Sequence, residues 1–193
     1  MVHERVVQAS PSSVLKEEHR VIERVLSVLH FLVTRAEGKL GFERASFQRC
    51  VQFFRLFADA CHHAKEEDLL FPVLEARGMP REGGPIGVML QEHTQARHLI
   101  KMMGEALEAA KTRNRAAELR FLRTARDYLA LLSDHIQKED CCLLRLSDRV
   151  LTARDRLVLG KKFADAGRRA FEGKRREELE EMADQLEKQW LLN

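Results

Sequence analysis

Two His-x-x-x-Glu steps, His62…Glu66 and His135…Glu139, constrain this chain more than anything else in it. On a helix, residues four apart lie one turn apart on the same face, so each step stacks an imidazole over a carboxylate. Both steps lie in stretches whose apolar residues recur at helical spacing. Two further stretches of that kind each carry one histidine inside the apolar stripe, His19 and His93. A fold that turns all six side chains inward buries two carboxylates and four imidazoles at one level. A carboxylate buried without a cation costs several kcal/mol or is forced to take up a proton. Glutamates and histidines projecting inward from four helices are the donor set from which a helical bundle builds a two-metal core. The expected metal ligands are therefore His19, His62, Glu66, His93, His135 and Glu139.

The expected fold is all-α: an up-down-up-down four-helix bundle over residues 1–151, with one or two extra helices over residues 152–193 packed on it. Pro11-Ser12-Ser13 opens the first helix, with serine caps and acidic residues in its first turn, and Gly38 and Gly41 close it. The second is expected from Glu43 to Glu75, ending in the turn Arg77-Gly78-Met79-Pro80 and the loop Gly83-Gly84-Pro85. The third spans Ile86 to Lys111 and the fourth Arg115 to Leu151. Beyond them, Thr152–Phe171 and Lys174–Leu192 read as helices carrying a thin apolar stripe of Phe163, Leu179, Met182, Leu186 and Trp190. Counted from turns placed near residues 39, 80 and 113, the four histidines sit at similar depths. At about 1.5 Å rise per residue the mismatches are mostly below about 8 Å, so all four can meet in mid-bundle.

Composition fits this reading and excludes others. The chain is 45% hydrophobic and 33% charged, with few prolines, as suits a helical globular protein. The formal net charge of +3 is small and the two signs are interleaved, as in Lys174-Arg175-Arg176-Glu177-Glu178, which argues against nucleic-acid binding. No apolar run approaches the length of a membrane span. The start, Met1 to Ser10, has no apolar export core. Cys50, Cys61, Cys141 and Cys142 form no CxxC motif, and reduced, mostly buried thiols in a cytoplasmic protein are the expectation.

Within Cys61-His62-His63-Ala64-Lys65-Glu66-Glu67 two registers compete. Val51, Leu69 and Val73 lie in line with His62, whereas Gln52, Asp59 and Glu67 lie nearest the line of His63. The inward pair is thus His62/Glu66, and His63 and Glu67 are left as supporting or surface groups. Ligation by imidazole and carboxylate without thiolate disfavours structural zinc and suits iron or manganese.

These residues also carry a resemblance. Lys16-Glu17-Glu18-His19, the string from His62 to Pro72 (H-x-x-K-E-E-x-x-L-F-P), Gly84-Pro85-Ile86-Gly87-Val88-Met89 with Glu92-His93, and His135-Ile136-Gln137-Lys138-Glu139 resemble the hemerythrin-like, HHE cation-binding family over most of the chain. They look most like the hemerythrin domain of di-iron proteins that repair iron–sulfur clusters. The resemblance implies the same six ligands and two non-haem iron ions with an oxo or hydroxo bridge. It implies a cytoplasmic protein that binds or reacts with O2, NO or peroxide under oxidative or nitrosative stress. The rival readings are iron–sulfur cluster repair or iron donation, and an iron- or oxygen-sensing module working through a second copy or a protein partner at the C-terminal helices. Oxygen-carrying hemerythrins have a further histidine where Arg97 stands here, so reversible oxygen carriage is not expected. Their Asp five residues after the fourth-helix histidine is matched by Asp140, but Glu139 fits the HHE pattern better. Arg97 is expected to turn outward or pair with a carboxylate rather than draw an anion to the site. Tyr128 and His30 are expected to pack in the core.

Overall fold

The computed structural model describes residues 10–112 and 114–192. The reading of the N-terminal stretch and the turn at residue 113 fall on residues outside those described. Among the described residues there are six helical runs and no strand beyond an isolated bridge between Phe171 and Lys174. Helix α1 is Pro11–Glu37. Helix α2 starts as Arg44–Phe53, passes through π-helical segments Phe54–His63 and Glu66–Leu70, and finishes as Phe71–Ala76. Helix α3 is Pro85–Ala109. Helix α4 begins as Arg115–Lys138, continues through a π segment Glu139–Leu143 and ends as Leu144–Val150. Helices α5, Ala153–Gly167, and α6, Arg176–Trp190, complete the chain. No helix among these residues is long and apolar enough to cross a membrane.

Local chemistry sets the ends. The first cap is Ser10, two residues before the first of the expected serines: its Oγ accepts from the Ser13 amide at 3.1 Å, with Pro11 at the first helical position. The first turn holds no acidic residue. Asn114 caps α4 through the amides of Ala116 and Ala117. Thr152 and Asp155 form a reciprocal capping box on α5, and Asp155 also takes both arms of Arg77. The entry to α3 depends on the absence of two side chains. A Cβ on Gly84 would lie 2.6 Å from the Pro80 carbonyl oxygen, and one on Gly87 would lie 2.5 Å from that of Arg81. The 77–84 loop therefore presses directly on the first turn of α3, fixing the helix that carries His93.

Two apolar clusters fill the interior, separated by a polar layer. Along α1, Leu15 lies in one cluster and Ile22 in the other, with His19 between them. The same alternation runs Ala58, His62/Glu66, Leu70 on α2; Met89, His93, Ala96 on α3; and Ile136, Glu139, Leu143 on α4. The order inverts from helix to helix, as the up-down-up-down arrangement requires. Helix α6 lays Leu179, Ala183 and Leu186 into the larger cluster, while Leu159 and Phe163 of α5 join the smaller. Two packing expectations fail. His30 is exposed, and so are Cys141 and Cys142, because these positions fall on the outer faces of α1 and α4; Cys50 and Cys61 are buried.

Leu186 is fully buried among residues of α1 and α2, so Leu186→Ala is expected to cost about 2–5 kcal/mol. Trp190, the single tryptophan, sits on α6 against Phe31 of α1 and Ser46 of α2 and reports the docking of that helix, whereas circular dichroism reports the whole chain. The two probes are expected to give one coincident denaturant transition, in wild type and variant alike. An earlier fluorescence transition would show that α6 unfolds on its own.

Candidate metal centre

All six expected ligands lie in the polar layer and are at most 1% exposed. Two groups of side chains bring donor atoms within 4.8 Å of one another: His19, His62, Glu66 and Glu139, and Glu66, His93, His135 and Glu139. Both groups contain the two glutamates. A third group, His63, His93 and His135, includes a residue the sequence had left outside.

The helical phase used to set His63 aside assumed an unbroken α-helix. The π segment that ends at His63 widens each turn by about one residue, which advances the inward line along the sequence. His62 and His63 are both buried, Lys65 is buried one turn on, and Leu70 replaces half-buried Leu69 as the core residue. The three π segments of the chain's described residues all begin or end on a residue of this layer. Pro72 contributes: it lacks an N–H, and its ring crowds the carbonyl four residues back, where the turn has widened.

Each expected histidine is oriented by a carboxylate from another helix. His62 Nδ1 donates to Glu18 of α1 at 3.0 Å, and His93 Nδ1 to Glu67 of α2 at 2.7 Å. His135 Nδ1 donates to Glu92 of α3 at 2.9 Å, and His19 Nδ1 to Asp140 of α4 at 2.7 Å. The bonds close a ring, α1 to α2 to α3 to α4 and back to α1. They fix the tautomer of each imidazole and leave every Nε2 facing the layer. Behind each carboxylate stands a cation: Lys65 and Arg176 at Glu18, Arg97 at Glu67, Lys138 at Glu92, Arg20 at Asp140. Burial alone would raise these four carboxyls; their imidazole and cationic partners instead hold each below its usual range, Glu18 at about 2. Arg97 thus pairs with carboxylates, Asp59 and Glu67, each at 2.7 Å. Tyr128 is fully buried and packs on Phe54 with ring centres 4.9 Å apart.

The inner face is left unsatisfied. Among the described residues, the buried side-chain atoms with no hydrogen-bond partner include both oxygens of Glu66, Oε1 of Glu139, and Nε2 of His93 and of His135. An unpaired buried polar atom costs about 1–3 kcal/mol, and here such atoms converge. His19 Nε2 and His62 Nε2 stand 3.0 Å apart, with Glu139 Oε2 3.2 Å from the former. Lone pairs aimed at one another in this way call for a positive charge among them. These donors fit a bound cation.

Without an ion, protons serve that purpose. Burial alone would lower His19, but its bonds to Asp140 and Glu139 push it up to about 10. Burial and the neighbouring Glu139 raise Glu66 well above its ordinary 4.5, while His62 is pushed down to about 4 by burial. Between pH 7 and pH 9, then, His19 keeps in the fold a proton that the unfolded chain releases. A state that binds more protons loses stability as pH rises. With a chelator present, stability is expected to fall from pH 7 to pH 9, by at most about 1.4 kcal/mol per pH unit for each proton. A cation takes the place of that proton, so saturating ferrous ion is expected to flatten or reverse the decline. Denaturant midpoints at the two pH values decide; a midpoint that rises with pH under chelator would overturn the assignment.

No curated protein and no solved structure matches the chain. A family described as Hemerythrin HHE cation binding domain does match, over residues 10–146. That span runs from the cap of α1 into the last turns of α4 and takes in the whole ring of histidines and carboxylates. On this match, which covers well over half of its residues, the chain belongs to the hemerythrin HHE cation-binding family.

Proposed function

We propose that this chain is a non-haem di-iron protein that binds or reacts with a small ligand such as O2, NO or peroxide. The observation that carries the reading is the overlap of the two four-residue groups in Glu66 and Glu139. Two ions side by side, one on His19 and His62, the other on His93 and His135, would share both glutamates. Imidazole and carboxylate donors suit iron or manganese. When bound, a pair of redox-active ions supplies one-electron steps and open coordination positions for an exogenous ligand. The chain's own part is to hold four Nε2 atoms in place through Glu18, Glu67, Glu92 and Asp140. It also seals the layer between two apolar clusters, which favours diatomic or peroxidic ligands over anything larger. On this reading the setting is an oxidative or nitrosative stress response.

Anaerobically purified protein is expected to carry about two irons per chain and to develop near-ultraviolet oxo-bridge absorption in air. His62→Ala should remove the bands, and Glu18→Gln, which reverses the hydrogen bond that orients His62, should weaken iron binding by about 10–100-fold. One zinc per chain, or no metal with the fold intact, would sink the reading.

A sensing role is favoured by one contact. Arg176 of α6 reaches Glu18 at 2.9 Å, and Glu18 orients His62. Iron loading should then slow amide hydrogen exchange in residues 176–190, measured by mass spectrometry; unchanged exchange there would leave α6 a passive cover.

A further inference from the structure

We infer that His63 is a seventh ligand, giving the ion on His93 and His135 a third imidazole and making the two metal positions unequal. The inference rests on the two-ion reading above. His63 is 1% exposed, and neither of its ring nitrogens has a hydrogen-bond partner among the described residues. A neutral imidazole always carries one N–H and one lone pair, so a purely structural His63 would bury both unsatisfied. An apolar ring would fill the same space without that cost. Donor atoms of His63, His93 and His135 lie within 4.8 Å of one another.

The surroundings of His63 echo those of the other four histidines, with a looser contact in place of their hydrogen bond. Asp59 Oδ1 lies 3.5 Å from His63 Nδ1, on the side away from the layer, and Arg97 Nε holds that same oxygen at 2.7 Å. His63 is therefore backed by a carboxylate and then a cation, as His19, His62, His93 and His135 are. Its carboxylate comes from one turn earlier on its own helix, not from a neighbour. With Nδ1 turned toward Asp59, Nε2 is the nitrogen available to an ion. Arg97 ties Asp59 to Glu67, the partner of His93, so one guanidinium steadies the carboxylates behind two of the three imidazoles.

One rearrangement is required. The His63 and His93 rings are stacked, with centres 3.9 Å apart and planes 15° from parallel, whereas His63 and His135 meet edge to face at 80°. A single ion cannot lie in the planes of two parallel rings. Ligation asks one ring to turn about its Cβ–Cγ bond, a torsion with a broad, shallow profile. The weak 3.5 Å approach to Asp59 leaves His63 freer to turn than His93, which Glu67 holds at 2.7 Å.

The test replaces His63 with phenylalanine, which keeps a ring against His93 but has no lone pair, and in parallel with leucine. Ferrous ion is titrated anaerobically into wild type and variants against a chromophoric chelator, and X-ray absorption counts imidazoles per iron. Wild type is expected to bind two ions with five imidazoles between them. In His63→Phe and His63→Leu, with helicity and melting intact, one ion should bind at least about ten-fold more weakly and the count should fall to four. Variants that titrate like wild type with an unchanged count would overturn the proposal while leaving two-ion binding in place. A wild type that takes up fewer than two ions would overturn the two-ion reading, and this inference with it.

Discussion

The ring of carboxylate–imidazole hydrogen bonds is the interaction on which the rest of this structure depends. Each of the four bundle helices gives a histidine to the interior and a carboxylate to the histidine of a neighbouring helix. Register, rotation and depth of all four helices are thereby fixed by four short bonds at one level. Apolar packing is non-directional and tolerates small slides of one helix along another. A slide at this level breaks two bonds of the ring and leaves two carboxylates and two buried imidazoles unpaired. Specificity of arrangement comes from this layer, and bulk stability from the two clusters on either side.

The layer is also where the fold is least at ease. Outward, every carboxylate is answered by an imidazole and a lysine or arginine. Inward, the Nε2 atoms and carboxylate oxygens face one another with too few protons to go round. Such a layer is a poor core for a protein that binds nothing and a good one for a protein whose folding and cation binding are linked. The high affinity of His19 and Glu66 for protons is the same electrostatic demand met by the smallest cation at hand.

Most of the architecture was legible in the sequence because it rests on period and punctuation. The apolar stripes, the Gly38, Gly78 and Gly84 breaks and the inward histidines place four helices and their common level. What period does not encode is where it changes. Counting at 3.6 residues per turn carries the phase of Val51 straight through a stretch that is π-helical, and so places His63 at the periphery. The same stretch carries Lys65 into the interior beside Glu18, a placement no hydrophobicity pattern would select. The orienting carboxylates left a trace: Glu18-His19, Glu66-Glu67, Glu92-His93 and Glu139-Asp140 each set an acidic residue beside an expected ligand. Which histidine each one serves was not legible, since that depends on the relative rotation of helices far apart in the chain.

Arg97 shows how a cation can support the layer without entering it. The arginine reaches past the layer to Asp59 and Glu67 on α2, so its charge strengthens the carboxylates behind His63 and His93. Glu67 holds the Nδ1 proton of His93 outward, which makes the opposite nitrogen a better donor to a cation, and Asp59 stands 3.5 Å from Nδ1 of His63. The widened turn that ends at His63 is what brings an imidazole of α2 into the space beside His93 and His135. An arginine on one helix and a π turn on the next are thus complementary: the first organises the outer support, and the second delivers the ring that the support is positioned to hold.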